Sequence, residues 1–213
     1  MTIKKTNSKT MKNLTKTLIA AALTAVVLTS SAITTFAAEP VVTELTAPSA
    51  EGFNKIWVSG NVKIVLTQGD KQIVLGTSNY DSTKTSVLSK GQTLYINSME
   101  SGQVTLNITV KDLQRVEAYG QSVVVTSNNF DVKNLQLFLN QSATAKIKTT
   151  AESLYTVVKD NAVLKLNGTA DKSTMVASNM KNVKLGDFAS LRSESYASEA
   201  IMATKFAVSS LSK

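Results

Sequence analysis

The stretch Leu135-Gln136-Leu137-Phe138-Leu139-Asn140-Gln141-Ser142-Ala143-Thr144-Ala145-Lys146-Ile147 returns nineteen residues later as Leu154-Tyr155-Thr156-Val157-Val158-Lys159-Asp160-Asn161-Ala162-Val163-Leu164-Lys165-Leu166, and again from Ser173 to Leu185. Each copy has an alternating run, a polar corner and a second alternating run. The corners are Asn140-Gln141-Ser142, Lys159-Asp160-Asn161 and Ser178-Asn179-Met180. A period of about 20 residues built from two-residue alternation marks stacked strands, where a copy buries its apolar face only against its neighbours. At about 3.3 Å per residue one copy traces a closed path of about 60 Å, with successive copies about 4.8 Å apart and like residues in columns. Leu, Val, Ile and Ala fill the inward columns; Lys, Thr, Asn and Ser fill the outward ones. The expected fold is all-β and single-domain, a parallel β-helix (β-solenoid) with rungs of about 19–20 residues.

Upstream, Ile56 and Val58, Val62 to Leu66 and Gln72 to Leu75 form short β-branched runs separated by Gly60-Asn61 and Gln68-Gly69-Asp70. Such breaks are hairpins or coil corners, and the sequence does not choose between them. Val104-Thr105-Leu106-Asn107-Ile108-Thr109-Val110 alternates cleanly, as a half-buried strand does. No helical period is sustained after residue 38. Downstream the repeat loosens from Leu191 to about Ala203, as a terminal capping rung would, and Phe206, Val208 and Leu211 are placed to cover the open end.

Residues 1–38 read as a cleavable export signal. Lys12 and Lys16 lead into the apolar run Leu18 to Leu28, too short to span a bilayer, and the segment ends Thr35-Phe36-Ala37-Ala38. Cleavage is expected after Ala37 or Ala38, and Met11 opens a more conventional leader than Met1. This segment holds five lysines and no acidic residue, so the remainder carries 18 basic against 15 acidic residues, a net of +3. The basic precursor is therefore no argument for nucleic acid, and Arg115 and Arg192 are the only arginines. The expected mature chain has no membrane span. The absence of cysteine removes disulfides, thiolate metal sites and a lipoprotein acceptor, and the absence of histidine removes the commonest general base.

Lys146, Lys165 and Lys184 form the first candidate contact column: a cationic strip for acidic polysaccharide, or, more plainly, a solubilising face. Gln141, Asp160 and Asn179 form a corner column whose side chains are expected to hydrogen-bond up the stack rather than hold a ligand. The seven aspartates are scattered, without the Gly- and Asp-rich nonapeptide of calcium β-rolls, so no metal or cofactor is expected. Asp112 with Glu117 or Asp131 lacks the distinguishing spacing of a glycosidase pair, and no catalytic residue is assigned. Trp57, Tyr80, Tyr95, Tyr119, Tyr155 and Tyr196 do not recur at the rung spacing, and packing explains them more simply than sugar stacking.

Phe53 to Gly69, opening Phe53-Asn54-Lys55-Ile56-Trp57-Val58-Ser59-Gly60, and Val110 to Gly120 resemble the opening strand pair and the entry to the repeats of the bacterial auto-transporter adhesin head GIN domain family, a domain of unknown function. The resemblance runs from about Phe53 to Ala203. It implies a right-handed β-solenoid, similar to pectin-lyase folds without catalytic residues, used for adhesion or scaffolding in the bacterial cell envelope. The family's Ser-Gly-Ser-Gly corners survive here only as remnants such as Gly120-Gln121-Ser122; Asn, Gln and Asp replace most of the glycines.

The expected organisation is an export signal at 1–38, a lead-in at 39–52 and one β-solenoid over 53–213, with 191–213 as its C-terminal cap. The expected function is non-catalytic: cell-surface adhesion or an envelope scaffold in the periplasm, at the cell surface or outside the cell. Its partners would be cell-surface polysaccharide, another envelope protein or further copies of itself. A periplasmic ligand-sensing or stress-response module of the toastrack type, and a polysaccharide-binding or polysaccharide-degrading protein, are the alternatives.

Overall fold

The alternation of Val, Ile, Leu and Ala with polar residues gives strands throughout the computed structural model, which describes residues 43–45, 52–77 and 79–197. The expected export signal and the segment bearing Phe206, Val208 and Leu211 lie outside the described residues. Thirteen strands are found among the described residues: β1 (Thr43–Glu44), β2 (Lys55–Gly60), β3 (Val62–Gln68), β4 (Ile73–Gly76), β5 (Thr85–Lys90), β6 (Thr93–Ser98), β7 (Val104–Val110), β8 (Arg115–Ala118), β9 (Val123–Thr126), β10 (Phe130–Leu139), β11 (Thr144–Val158), β12 (Val163–Ala177) and β13 (Val183–Ala197). All belong to one sheet.

The nineteen-residue count is a strand register. β10 lies parallel on β11 with Leu135 opposite Leu154, and β11 lies parallel on β12 with Lys146 opposite Lys165 and Leu154 opposite Ser173. Val158 and Val163 are joined by five Cα steps, at most about 19 Å, while Val163 pairs with Thr144 at the far end of β11. Straight, β11 would span about 46 Å, so it must turn back on itself. The turn falls at Glu152-Ser153, where two consecutive residues face outward between buried Ala151 and Leu154. Lys133-Asn134 and Asp171-Lys172 repeat this slip of phase in β10 and β12, making a second corner that needs no break in the strand.

The last interval is twenty residues. Leu166 still faces Leu185, but Gly168 faces Phe188 across a bulge, so Ser173 meets Ser193. A single turn of 3₁₀ helix at Met180–Asn182 replaces the preceding corner. β13 pairs with β12 alone among the described residues, and Leu191 on it is 84% exposed.

At the other end the sheet is mixed, where a parallel coil throughout was the expectation. β6 and β7 lie parallel on β2 and β3, and β8 and β9 lie parallel on their other side, so the first coil in sequence is internal to the stack. β4 then pairs antiparallel with β7 and β1, and β5 pairs antiparallel with β6 across the two-residue turn Gly91-Gln92. Gly60-Asn61 is a corner, Lys90-Gly91 a hairpin. Short antiparallel strands close the edges that β6 and β7 would otherwise present.

The core is one continuous cluster that follows the inward columns, from Ile56, Leu94 and Leu106 through Val116, Leu137 and Phe130 to Leu154, Leu166 and Met175. Buried Thr149 satisfies its hydroxyl on the Phe130 carbonyl at 2.8 Å.

Candidate functional site

Phase alone puts five aromatic rings on the outside. Trp57 stands between buried Ile56 and Val58, Tyr95 between Leu94 and Ile96, Phe138 between Leu137 and Leu139, and Tyr155 between Leu154 and Thr156. Tyr119 follows β8 in the same phase. Parallel pairing sets Tyr95, Trp57, Glu117 and Phe138 in consecutive strands β6, β2, β8 and β10, with Thr93, Lys55, Arg115, Gln136 and Tyr155 in the neighbouring column.

The rings touch. The Trp57 centroid is 5.5 Å from Tyr119 and 6.2 Å from Tyr95, and Phe138 is 5.9 Å from Tyr155. Arg115 links the two groups. Its Nε donates to Gln136 Oε1 at 2.8 Å, its Nη1 pairs with Glu117 Oε1 at 3.1 Å, and its guanidinium lies 4.9 Å from the Phe138 centroid. Tyr119 Oη donates to the other carboxylate oxygen of Glu117 at 3.3 Å. Burial, and then the Glu117 charge, raise the Tyr119 phenol above the usual tyrosine value. Farther along the same face, the Glu194 carboxylate raises that of Tyr196.

Two shallow grooves open here. One is lined by Lys55, Trp57, Thr93, Tyr95, Arg115 and Glu117, the other by Lys55, Gln114, Arg115, Asn134 and Gln136. They share Lys55 and Arg115, which are directly paired across β2 and β8. Lys55 makes no ion pair among the described residues.

The lysine column is aligned as the spacing implies: Lys146, Lys165 and Lys184 are successive register partners on exposed positions of β11, β12 and β13. Lys146 and Lys148 border a separate groove with Asn167, Gly168 and Asp187. The corner column is a hydrogen-bond ladder in part. Gln141 Oε1 accepts from Gly120 N at 2.6 Å and Asp160 Oδ2 accepts from Gln141 N at 3.0 Å, whereas Asn179 turns to cap its own 3₁₀ turn through Lys181 N.

Of the carboxylates weighed as a pair, Asp112 and Asp131 border one corner groove with Asp70, Lys111 and Lys133, and Glu117 is held by Arg115 on the aromatic face. Among the described residues no group of three or more His, Cys, Asp or Glu could hold a metal ion, and no helix is long and apolar enough to cross a membrane.

The sequence reading assigns Trp57, Tyr95, Tyr119 and Tyr155 to packing and does not single out Phe138, because these rings come from coils separated by unequal intervals; Trp57 and its partner Tyr95 are 38 residues apart. A signal was present nonetheless, in aromatic residues that occupy the polar phase of alternating strands.

Solved structures share this fold at low identity. A structure described as a putative adhesin from Bacteroides fragilis matches with a TM-score of 0.66 at 19% identity, over 75% of this chain and 77% of that one. Two from Parabacteroides distasonis, described as a putative lipid binding protein and a putative adhesin, match with TM-scores of 0.58 and 0.53 at 13% identity, over 76% and 75% of this chain and 79% and 78% of theirs. No curated protein matches the chain in sequence. The family model described as "Putative auto-transporter adhesin, head GIN domain" matches residues 52–198, which spans every strand from β2 to β13, and the chain belongs to that family.

Proposed function

We propose that the mature chain is an exported, non-catalytic β-solenoid that serves cell-surface adhesion or scaffolds the envelope through its outer sheet faces. The observation that carries this reading is the placement of the chemically distinctive side chains. Tyr95, Trp57, Arg115, Phe138 and Tyr155 are laid out along exposed strands rather than gathered into a closed pocket. Such an extended face suits contact with another surface or a polymer better than the conversion of a small substrate.

The solenoid reading draws on the nineteen-residue parallel register and the turning back of β11. The adhesive reading draws on family membership and on the exported character of residues 1–38. The lysine column would add a second cationic strip on the adjoining face.

Protease treatment of intact cells, read by blotting, is the direct test, paired with attachment assays on a deletion strain. Cleavage at the surface with loss of attachment is expected. A protected periplasmic protein whose deletion changes a transcriptional response would replace this reading with the stress-module one.

A further inference from the structure

We propose that the face running from Tyr95 through Trp57, Tyr119, Arg115 and Phe138 to Tyr155 is a binding platform for a linear acidic polysaccharide; this rests on the adhesive reading above and names its ligand class. The face crosses five neighbouring strands, β6, β2, β8, β10 and β11, so it is about 19 Å long at about 4.8 Å per strand. That accommodates several sugar rings in line.

Outward positions on a wet sheet are ordinarily polar. Here they carry five rings outside the core cluster, with Tyr95 41% exposed. Tyr and Trp combine an apolar body with a polar tip, which fits them to the C–H faces of sugars between hydroxyl groups. Thr93, Gln114, Asn134 and Gln136 border the same grooves and supply both donors and acceptors.

Charge selects an acidic polymer over a neutral one. In the two outward columns of these five strands Lys55 and Arg115, which are register partners, stand against Glu117 as the one acidic residue. A guanidinium matches a carboxylate or sulfate with two parallel hydrogen bonds, and Arg115 is held in place by Gln136, Glu117 and Phe138 before any ligand arrives. Lys55, next to it and without an ion pair among the described residues, supplies the uncommitted charge.

The mature chain is passed over biotinylated alginate, hyaluronan and dextran captured on separate sensor surfaces, at about 0.15 M salt so that diffuse attraction is screened. Retention on alginate or hyaluronan but not dextran is expected. Trp57→Ala and Lys55→Gln should each weaken it by about fivefold or more, the equivalent of about 1 kcal/mol. Tyr95→Ser, at an exposed position, keeps the test valid if Trp57→Ala unfolds, with circular dichroism as the folding check. The triple change Lys146→Gln, Lys165→Gln, Lys184→Gln should alter retention less than about twofold, since it removes charge from the other face.

The proposal is overturned by absence of binding to both acidic polymers, by equal binding to dextran, by folded variants at Trp57, Tyr95 and Lys55 that bind like the parent, or by a loss in the lysine triple variant as large as in Lys55→Gln. Attachment that still depends on the gene, in a protein that binds neither acidic polymer, sinks the ligand class and leaves the adhesive reading standing. Attachment unaffected by deletion sinks the adhesive reading itself.

Discussion

Asp160 Oδ2 accepts the backbone N–H of Gln141, one rung below, at 3.0 Å, and both residues hold the left-handed backbone conformation, with φ of 56° and 60°. They are the only described non-glycine residues with positive φ. Gln141 in turn accepts from Gly120, whose φ is 68°. At Gly120 a Cβ would come within 3.1 Å of the Gly60 backbone nitrogen, a tight contact at the next corner down. At Gln141 and Asp160 the strain of a left-handed residue is exchanged for a hydrogen bond between neighbouring corners.

That exchange predicts an order of stabilities at one position. Asp160→Asn keeps an acceptor and tolerates the left-handed conformation, so it should cost less than about 0.5 kcal/mol, while Asp160→Ala loses the acceptor and keeps the strain, at about 1–2 kcal/mol. Asp160→Gly relieves the strain and should fall between them. Urea unfolding of the three variants gives the order directly; Ala as stable as Asn would remove the ladder from the account.

Gly168 is a position where only glycine fits. Its φ is 106°, and a Cβ would sit 1.9 Å from the Thr149 carbonyl oxygen of the strand beneath. Backbone cannot yield as a side-chain tip would, so Gly168→Ala should destabilise by more than about 2 kcal/mol. Gly102, where a Cβ meets nothing within 4 Å and φ is not positive, should accept Ala with a change under about 0.5 kcal/mol. Thermal unfolding of the pair checks both.

Much of the C-terminal stack was legible because a parallel register converts a constant interval into a column. Lys146, Lys165 and Lys184 are partners for that reason. Three things escaped it. The corner at Glu152-Ser153 carries no glycine or proline, only a slip in alternation, so no local residue marks it as a corner. The antiparallel β4 and β5 are decided by which edge they cover, a tertiary matter that local sequence does not encode. The aromatic face joins Trp57 to Tyr95 and Arg115 across unequal intervals, so no single period could bring its members together.

The lysine column tests how much of that pattern is energetic. Neighbouring ammonium groups about 5 Å apart repel by roughly 1 kcal/mol in water, reduced to a few tenths at physiological salt for exposed and flexible side chains. Changing Lys165, the middle member, to Gln should therefore raise stability slightly at low salt and leave it unchanged at high salt. A loss of stability in low salt would mean that the column does something other than solubilise the face.

Thr156 points into the core between Leu137 and Met175, and its hydroxyl has no hydrogen-bond partner among the described residues. A buried, unsatisfied hydroxyl costs about 1–3 kcal/mol, and valine has nearly the same shape with the same preference for strands. Thr156→Val should stabilise the protein by about 1 kcal/mol, read as an upward shift of the thermal midpoint. A fall would show that the hydroxyl is satisfied in solution, by bound water for instance.

Tyr119 links the aromatic face to pH. Burial and then Glu117 raise its phenol above the usual tyrosine value in the folded chain, whereas the unfolded chain releases that proton at the usual value. The folded state therefore holds the proton more tightly. The resulting stabilisation is fully present below the usual value and is lost as pH rises through the folded one. Ultraviolet titration should show a late-ionising tyrosine that Tyr119→Phe removes. Glu117→Gln should bring it part of the way back, because it removes the charge and leaves the burial. If Glu117→Gln does not move it, the carboxylate that holds Arg115 does not act on Tyr119, and the two halves of the face are electrostatically independent.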